Sequence, residues 1–229
     1  GLTQTRERIE RAAAACGRDP ASIQLLAVSK TRPVQDIRQG LARGQRHFGE
    51  NYLQEALPKI AALADQDICW HFIGPLQANK TRAVAEHFSW VHSVGRLKIA
   101  RRLNDQRPVG RPPLDICLQV NISGETSKSG LAADELEQTA VAIAALPRLR
   151  LRGLMCIPGA NPAPGQETAP FAQLRQLLQS LQSLPGKPCP DLDTLSMGMS
   201  GDLEAAIAEG ATWVRIGTGI FGPRLPREA

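Results

Sequence analysis

The chain has 229 residues, 42% of them apolar and 21% charged, the balance of an ordinary globular protein that can bury a sizeable core. Its net charge of +5 comes from dispersed basic residues, and three Trp, one Tyr and five Phe offer little material for stacking bases, so no nucleic-acid role is expected. Five cysteines (Cys16, Cys69, Cys117, Cys156, Cys189) contain no CxxC pair, so neither a disulfide framework nor a metal site is expected. With no leader-like segment and no apolar run near the roughly 20 residues of a membrane span, the reading is a cytoplasmic protein with no membrane contact.

Taken in order, residues 2–17 have helix-forming composition and stop at a glycine. Residues 25–29 (LLAVS) form an all-apolar run ending in Lys30 and a turn, the pattern of a strand covered on both faces. A lysine at the carboxyl end of such a strand either faces a ligand crevice or snorkels, stem on the core and ammonium in water. A helix over 34–42, a strand at 47–49 and a second helix through Leu63 follow, with a kink or early end expected at Pro58. Strands are predicted at 68–74, 90–94, 114–122, 150–157, 194–199 and 213–216. Helices are predicted at 79–88, from Leu97 through Leu103, at 131–146, from Phe171 to Leu184 and at 201–209, and 160–168 reads as a proline- and glycine-rich loop.

Eight short strands alternating with helices predict one single-domain (β/α)₈ barrel over 1–229, preceded by an N-terminal helix. An open doubly wound sheet is the competing architecture, although it usually has fewer strands. In such barrels the carboxyl ends of the strands carry the chemistry. Those ends supply Lys30, Asn51, Gly74, Ser93, Asn121, Ser200 and the run Gly217, Thr218, Gly219.

Phosphate sites in these barrels often lie after strands seven and eight. SMGMSGDLEAA places Ser200 and Gly201 at a helix start, and VRIGTGIFG adds Gly217, Gly219 and the Thr218 hydroxyl. Each half alone favours an ordinary capped helix or a turn; both together, at strands seven and eight, favour an anion. Arg215, inside the eighth strand, needs a partner if buried: a heterocyclic ligand nitrogen, or a carboxylate such as Glu50. A lysine that can form a Schiff base, a phosphate cradle and an arginine around one rim fit a phosphorylated aldehyde, and pyridoxal 5'-phosphate suits both ends. The four histidines, His47, His71, His87 and His92, read as structural, with no metal-ligand spacing, although His71 points into the barrel beside Ile73.

The ordered motifs LLAVSKT, HFGENYLQE, WHFIGPLQANK, VNISGETSKSGL, GLMCIPG, LSMGMSGDLEAAI and VRIGTGIFG closely resemble the pyridoxal phosphate homeostasis proteins, the alanine-racemase N-terminal-domain-like family. The resemblance spans about residues 25–222. It implies a fold-type III barrel in which Lys30 holds pyridoxal phosphate as a Schiff base. Ser200, Gly201, Gly217 and Thr218 would hold the phosphate, Arg215 would face the pyridine nitrogen, Asn51 and Met197 would line the ring, and Lys128 would handle cofactor at the mouth. Departures are small: Arg32 stands where the family commonly has lysine, and Pro58 is unusual.

It further implies vitamin B6 balance rather than an enzyme, with no catalytic residues. The partners are the cofactor, related B6 phosphates and, transiently, apoenzymes that use pyridoxal phosphate; the chain is expected to be a monomer. A weak amino-acid racemase and a Schiff-base aldolase are the alternatives. Racemization needs a second acid/base on the opposite substrate face, which two-domain racemases draw from a partner's tyrosine, and Tyr52 is the only tyrosine here.

Overall fold

The computed structural model describes residues 1–125, 129–159 and 167–223. Eight parallel strands close into a barrel in sequence order: β1 (Gln24–Val28), β2 (His47–Glu50), β3 (Cys69–Phe72), β4 (Trp90–Val94), β5 (Leu114–Gln119), β6 (Leu149–Met155), β7 (Thr194–Ser196) and β8 (Trp213–Ile216). β8 pairs back onto β1 with Leu26 opposite Arg215, so no edge remains and the doubly wound alternative is excluded. Around the barrel run α1 (Leu2–Ala15), α2 (Val34–Ala42), α3 (Leu53–Ala62), α4 (Thr81–His87), α5 (Leu97–Gln106), α6 (Leu136–Ala144), α7 (Ala169–Gln182), α8 (Leu203–Ala208) and α9 (Thr218–Phe221).

The two-residue period of each strand divides the core. Leu25 and Ala27 of β1, like Trp70 and Phe72 of β3, join the layer between sheet and helices, with Ile37, Phe171 and Leu174. Leu26 and Val28 face the barrel interior with Ile73 and Trp213, beside a second inner cluster of Trp90, Cys117 and Met155. Barrel interiors are usually filled by branched aliphatic residues. Here a column of histidines also occupies the interior.

Several expectations change. α3 runs through Pro58 instead of ending there: Pro58 is exposed, and only the bond from its missing N–H to the Gln54 carbonyl is given up. The helix expected over 131–146 starts at Leu136 after a 3₁₀ turn at Ala133–Glu135, because Leu131 instead bridges to Val120 beside β5. Gly130, at φ +134°, permits this contact; a Cβ there would sit 2.7 Å from the Asn121 nitrogen. Of the loop expected over 160–168, residues 160–166 lie outside the described residues. No helix among the described residues is long and apolar enough to cross a membrane.

Candidate functional site

A cavity of about 280 Å³ opens at the carboxyl rim between β1, β2, β3, β7 and β8, with Lys30, Asn51, Ser200, Gly201, Arg215, Gly217 and Thr218 in its wall. Val28, Ile73, Ile157 and Met199 add an apolar side. Among the described residues the wall holds three cations, Lys30, Arg32 and Arg215, and no carboxylate. Its size sits at the lower end of small-molecule pockets, and its charge selects an anion.

Lys30 stands in a tight turn in which the Arg32 N–H donates to the Ser29 carbonyl at 3.1 Å. The next residue, Thr31, has φ +61°, a left-handed conformation that costs a β-branched residue about 1–3 kcal/mol and marks functional turns. Its N–H is taken up by Glu55 Oε2 at 2.9 Å. Behind the turn, fully buried Glu50 Oε1 accepts from Ser29 Oγ at 2.7 Å and from Lys59 Nζ at 2.8 Å. Burial pushes the Glu50 carboxyl above its ordinary pKa against the pull of the Lys59 ammonium. Arg32 Nη2 donates to the carbonyls of Gly222 and Pro223, at 2.5 and 2.7 Å, tying the Lys30 turn to the segment after α9.

In the same wall, Thr218 Oγ1 and Ser200 Oγ lie 3.3 Å apart, bringing the loops after β7 and β8 together at two hydroxyls. α8 begins at Leu203, just beyond Ser200, and α9 begins at Thr218 itself, so N–H groups without intrahelical partners accompany those hydroxyls. Gly219 keeps this corner open, since a Cβ there would meet Ile216 Cγ2 at 2.9 Å. The loop after β7 is braced from α1: Arg8 Nη1 donates to the Ser200 carbonyl at 2.7 Å while its Nε and Nη2 grip Glu204 at 2.5 and 2.6 Å. That grip holds the Glu204 carboxyl below its usual range.

Arg215 is buried, with Nη1 donating to Ser196 Oγ at 3.0 Å and Nη2 to the Cys156 carbonyl at 2.9 Å. Both acceptors are neutral. The carboxylate considered as its partner, Glu50, is committed instead to Lys59 and Ser29. From Ser196 a hydrogen-bonded column crosses the barrel: Ser196 Oγ to His92 Nδ1 at 2.7 Å, His92 Nε2 to His71 Nδ1 at 2.9 Å, and His71 Nε2 to His47 Nδ1 at 3.0 Å. Burial disfavours the charged form of each imidazole, pulling His92 down to about 3 with help from Arg215, His71 well below its ordinary value and His47 below it.

The structure gathers Lys30, Asn51, Ser200, Gly201, Arg215, Gly217 and Thr218 around one cavity. It does not bring Met197 there. Met197 follows the barrel-facing Ser196 and so turns into the sheet–helix layer, fully buried, while Met199, beyond Gly198 at φ +91°, lines the cavity. Lys128 lies outside the described residues. Lys59, Arg8 and the histidine column escape sequence reasoning, because each acts through pairing with distant segments; an amphipathic pattern with a lysine on the buried side of α3 is the one local sign of Lys59.

A buried guanidinium, a strained lysine turn and paired hydroxyls at the last two strands define a (β/α)₈ barrel with a cationic cavity at its carboxyl rim. The chain belongs to the alanine racemase N-terminal domain family, whose sequence pattern matches residues 2–225. It is 60% identical over 223 residues, 97% of this chain and 94% of the relative, to the pyridoxal phosphate homeostasis protein of Pseudomonas aeruginosa. PipY of Synechococcus elongatus, solved with pyridoxal phosphate bound, superposes with a TM-score of 0.80 at 42% identity over 93% of this chain and 99% of that one. Alanine racemase of Corynebacterium glutamicum shares the fold at 16% identity with a TM-score of 0.68, over 98% of this chain and 62% of that one.

Proposed function

We propose that this chain binds pyridoxal 5'-phosphate at the carboxyl rim and serves cytoplasmic balance of that cofactor, with Lys30 as its covalent tether. The observation that carries the reading is the cavity wall itself, where the described residues bring together three cations, one of them an amine, and two paired hydroxyls, without an acid. The wall also has an acceptor waiting: buried Asn51 Oδ1 has no hydrogen-bond partner among the described residues, and a ligand hydroxyl would satisfy it. Homeostasis-protein relatives and PipY with pyridoxal phosphate bound support the assignment.

When bound, the cofactor supplies an electrophilic aldehyde carbon and an electron-withdrawing pyridine ring. Ser200, Gly201, Gly217 and Thr218 hold the phosphate, and Asn51 orients the ring through its free oxygen. Arg215 can only donate, so beside the pyridine nitrogen it keeps that nitrogen unprotonated and the ring a weak electron sink, which favours carriage over turnover. Exposed Ile157 and Met199 in the cavity wall, with exposed Tyr52 next to Asn51 in the chain, give an apoenzyme an apolar surface to meet while the chain acts as a monomer.

Borohydride reduction followed by peptide mass analysis tests the tether. A pyridoxyl group on Lys30, and loss of the visible chromophore in Lys30→Ala with dialysable cofactor still bound, are expected. A label on another lysine rejects the assignment, and exchange of the alanine α-hydrogen at enzyme-like rates rejects the non-enzymatic reading.

A further inference from the structure

At the opposite, amino-terminal mouth of the barrel, parallel pairing sets His47 of β2 directly beside Cys69 of β3, and His71 follows two residues later on the same face. One ligand atom from each, two imidazole nitrogens and the Cys69 sulfur, lies within 4.8 Å of the others. We propose that His47, Cys69 and His71 bind a divalent transition-metal ion of the zinc class, with a fourth position left to water.

The donor set fits that ion. Zinc takes imidazole nitrogen and thiolate sulfur in tetrahedral geometry, at about 2.0–2.1 and 2.3 Å. Two nitrogens at those lengths stand about 3.3 Å apart across a tetrahedral angle; His47 Nδ1 and His71 Nε2 are 3.0 Å apart. A shift of a few tenths of an ångström admits the ion between them. His47 and Cys69 are only partly buried, so the ion has a route from solvent, whereas His71 anchors the site from inside.

The surroundings resemble those of metal-binding histidines, which are held in one tautomer by a partner on the other ring nitrogen. His71 Nδ1 has such a partner in His92 Nε2 at 2.9 Å. Indoles enclose the pair, with Trp213 4.9 Å from both His47 and His71 and Trp90 stacked on His71 at 5.5 Å between ring centroids. They give the site an apolar wall that strengthens charge–ligand attraction.

Protons balance simply. Binding releases the Cys69 thiol proton to solvent, and the single proton between His47 and His71 moves to the outer nitrogen of its own ring. If that ring is His71, the proton points to His92, and the column must then run with His92 Nδ1–H donating to Ser196 Oγ.

Cobalt(II) titrated into the full chain, free of any affinity tag, tests the site. Expected are tetrahedral d–d bands in the visible saturating at one equivalent, removed by zinc, together with quenched indole fluorescence. His47→Ala and Cys69→Ser should each weaken binding at least about tenfold with unchanged circular dichroism, whereas Cys16→Ser should leave it unaltered. Absence of tetrahedral bands in the parent protein overturns the proposal whether or not the variants fold. So do bands that survive in both variants, as chelation by bound cofactor would give.

Discussion

Lys59 Nζ lies 2.8 Å from Glu50 Oε1 and 2.8 Å from the Ser29 carbonyl oxygen, so a buried ion pair grips the residue immediately before Lys30. The turn that presents the amine is therefore held from behind by two groups that never reach the cavity. Breaking such a pair on one side costs about 3–5 kcal/mol, because the remaining charge has no partner.

Lys59→Met should lower unfolding free energy by about that amount in urea titrations at pH 8. The deficit relative to the parent should shrink at pH 5, where the isolated Glu50 takes up a proton and becomes neutral. Glu50→Gln combined with Lys59→Met should recover most of the loss. A double variant no more stable than Lys59→Met would show that the pair is not the source.

Gly74→Ala tests how closely β3 passes the cavity wall. A Cβ at Gly74 would stand 2.0 Å from the Asn51 carbonyl oxygen, so the backbone carrying Asn51 must move. We expect a stability loss of about 1–3 kcal/mol and weaker cofactor binding in the same variant. Unaltered affinity by fluorescence titration would separate Asn51 from the ligand.

The hydroxyls proposed to hold the phosphate should respond in the opposite proportion. Ser200→Ala and Thr218→Val each remove a hydroxyl facing a charged ligand, worth about 1.5–3 kcal/mol, or roughly 10- to 100-fold in Kd. Neither hydroxyl sits in the core, so unfolding of the cofactor-free protein should change by no more than about 0.5 kcal/mol. Equilibrium dialysis with pyridoxal phosphate, set beside urea unfolding, checks both halves.

The histidine column predicts sensitivity to acid. His92 has a folded pKa of about 3 against 6.5 unfolded, so between those values the unfolded chain binds the extra proton. Stability then rises with pH and is lost as pH falls below about 6.5, by about 2 kcal/mol from His92 alone between pH 7 and pH 5. In chelator-treated protein, His92→Asn should lose about 2 kcal/mol less over that interval. An identical pH slope in the two proteins would place the acid sensitivity elsewhere.

Much of this architecture is legible locally. The apolar run before Lys30, the alternation of eight strands with helices, and the glycine- and hydroxyl-bearing turns after strands seven and eight each depend on neighbours within a few residues. The errors are local competitions settled at a distance. Leu131 leaves its helix for a bridge to Val120, and Met197 goes to the outer layer because Ser196 takes the inner face to meet Arg215 and His92.

By itself, the sequence determined a barrel with Lys30 at its first strand end and glycine- and hydroxyl-bearing turns at its last two, because hydrophobic period and turn chemistry are properties of contiguous residues. Only the tertiary structure decided what Lys59 grips, that Arg215 binds neutral oxygens, and that His47, His71 and His92 form one column. Those relationships depend on the register between separate strands and on which element packs behind which, and no spacing along the chain encodes either.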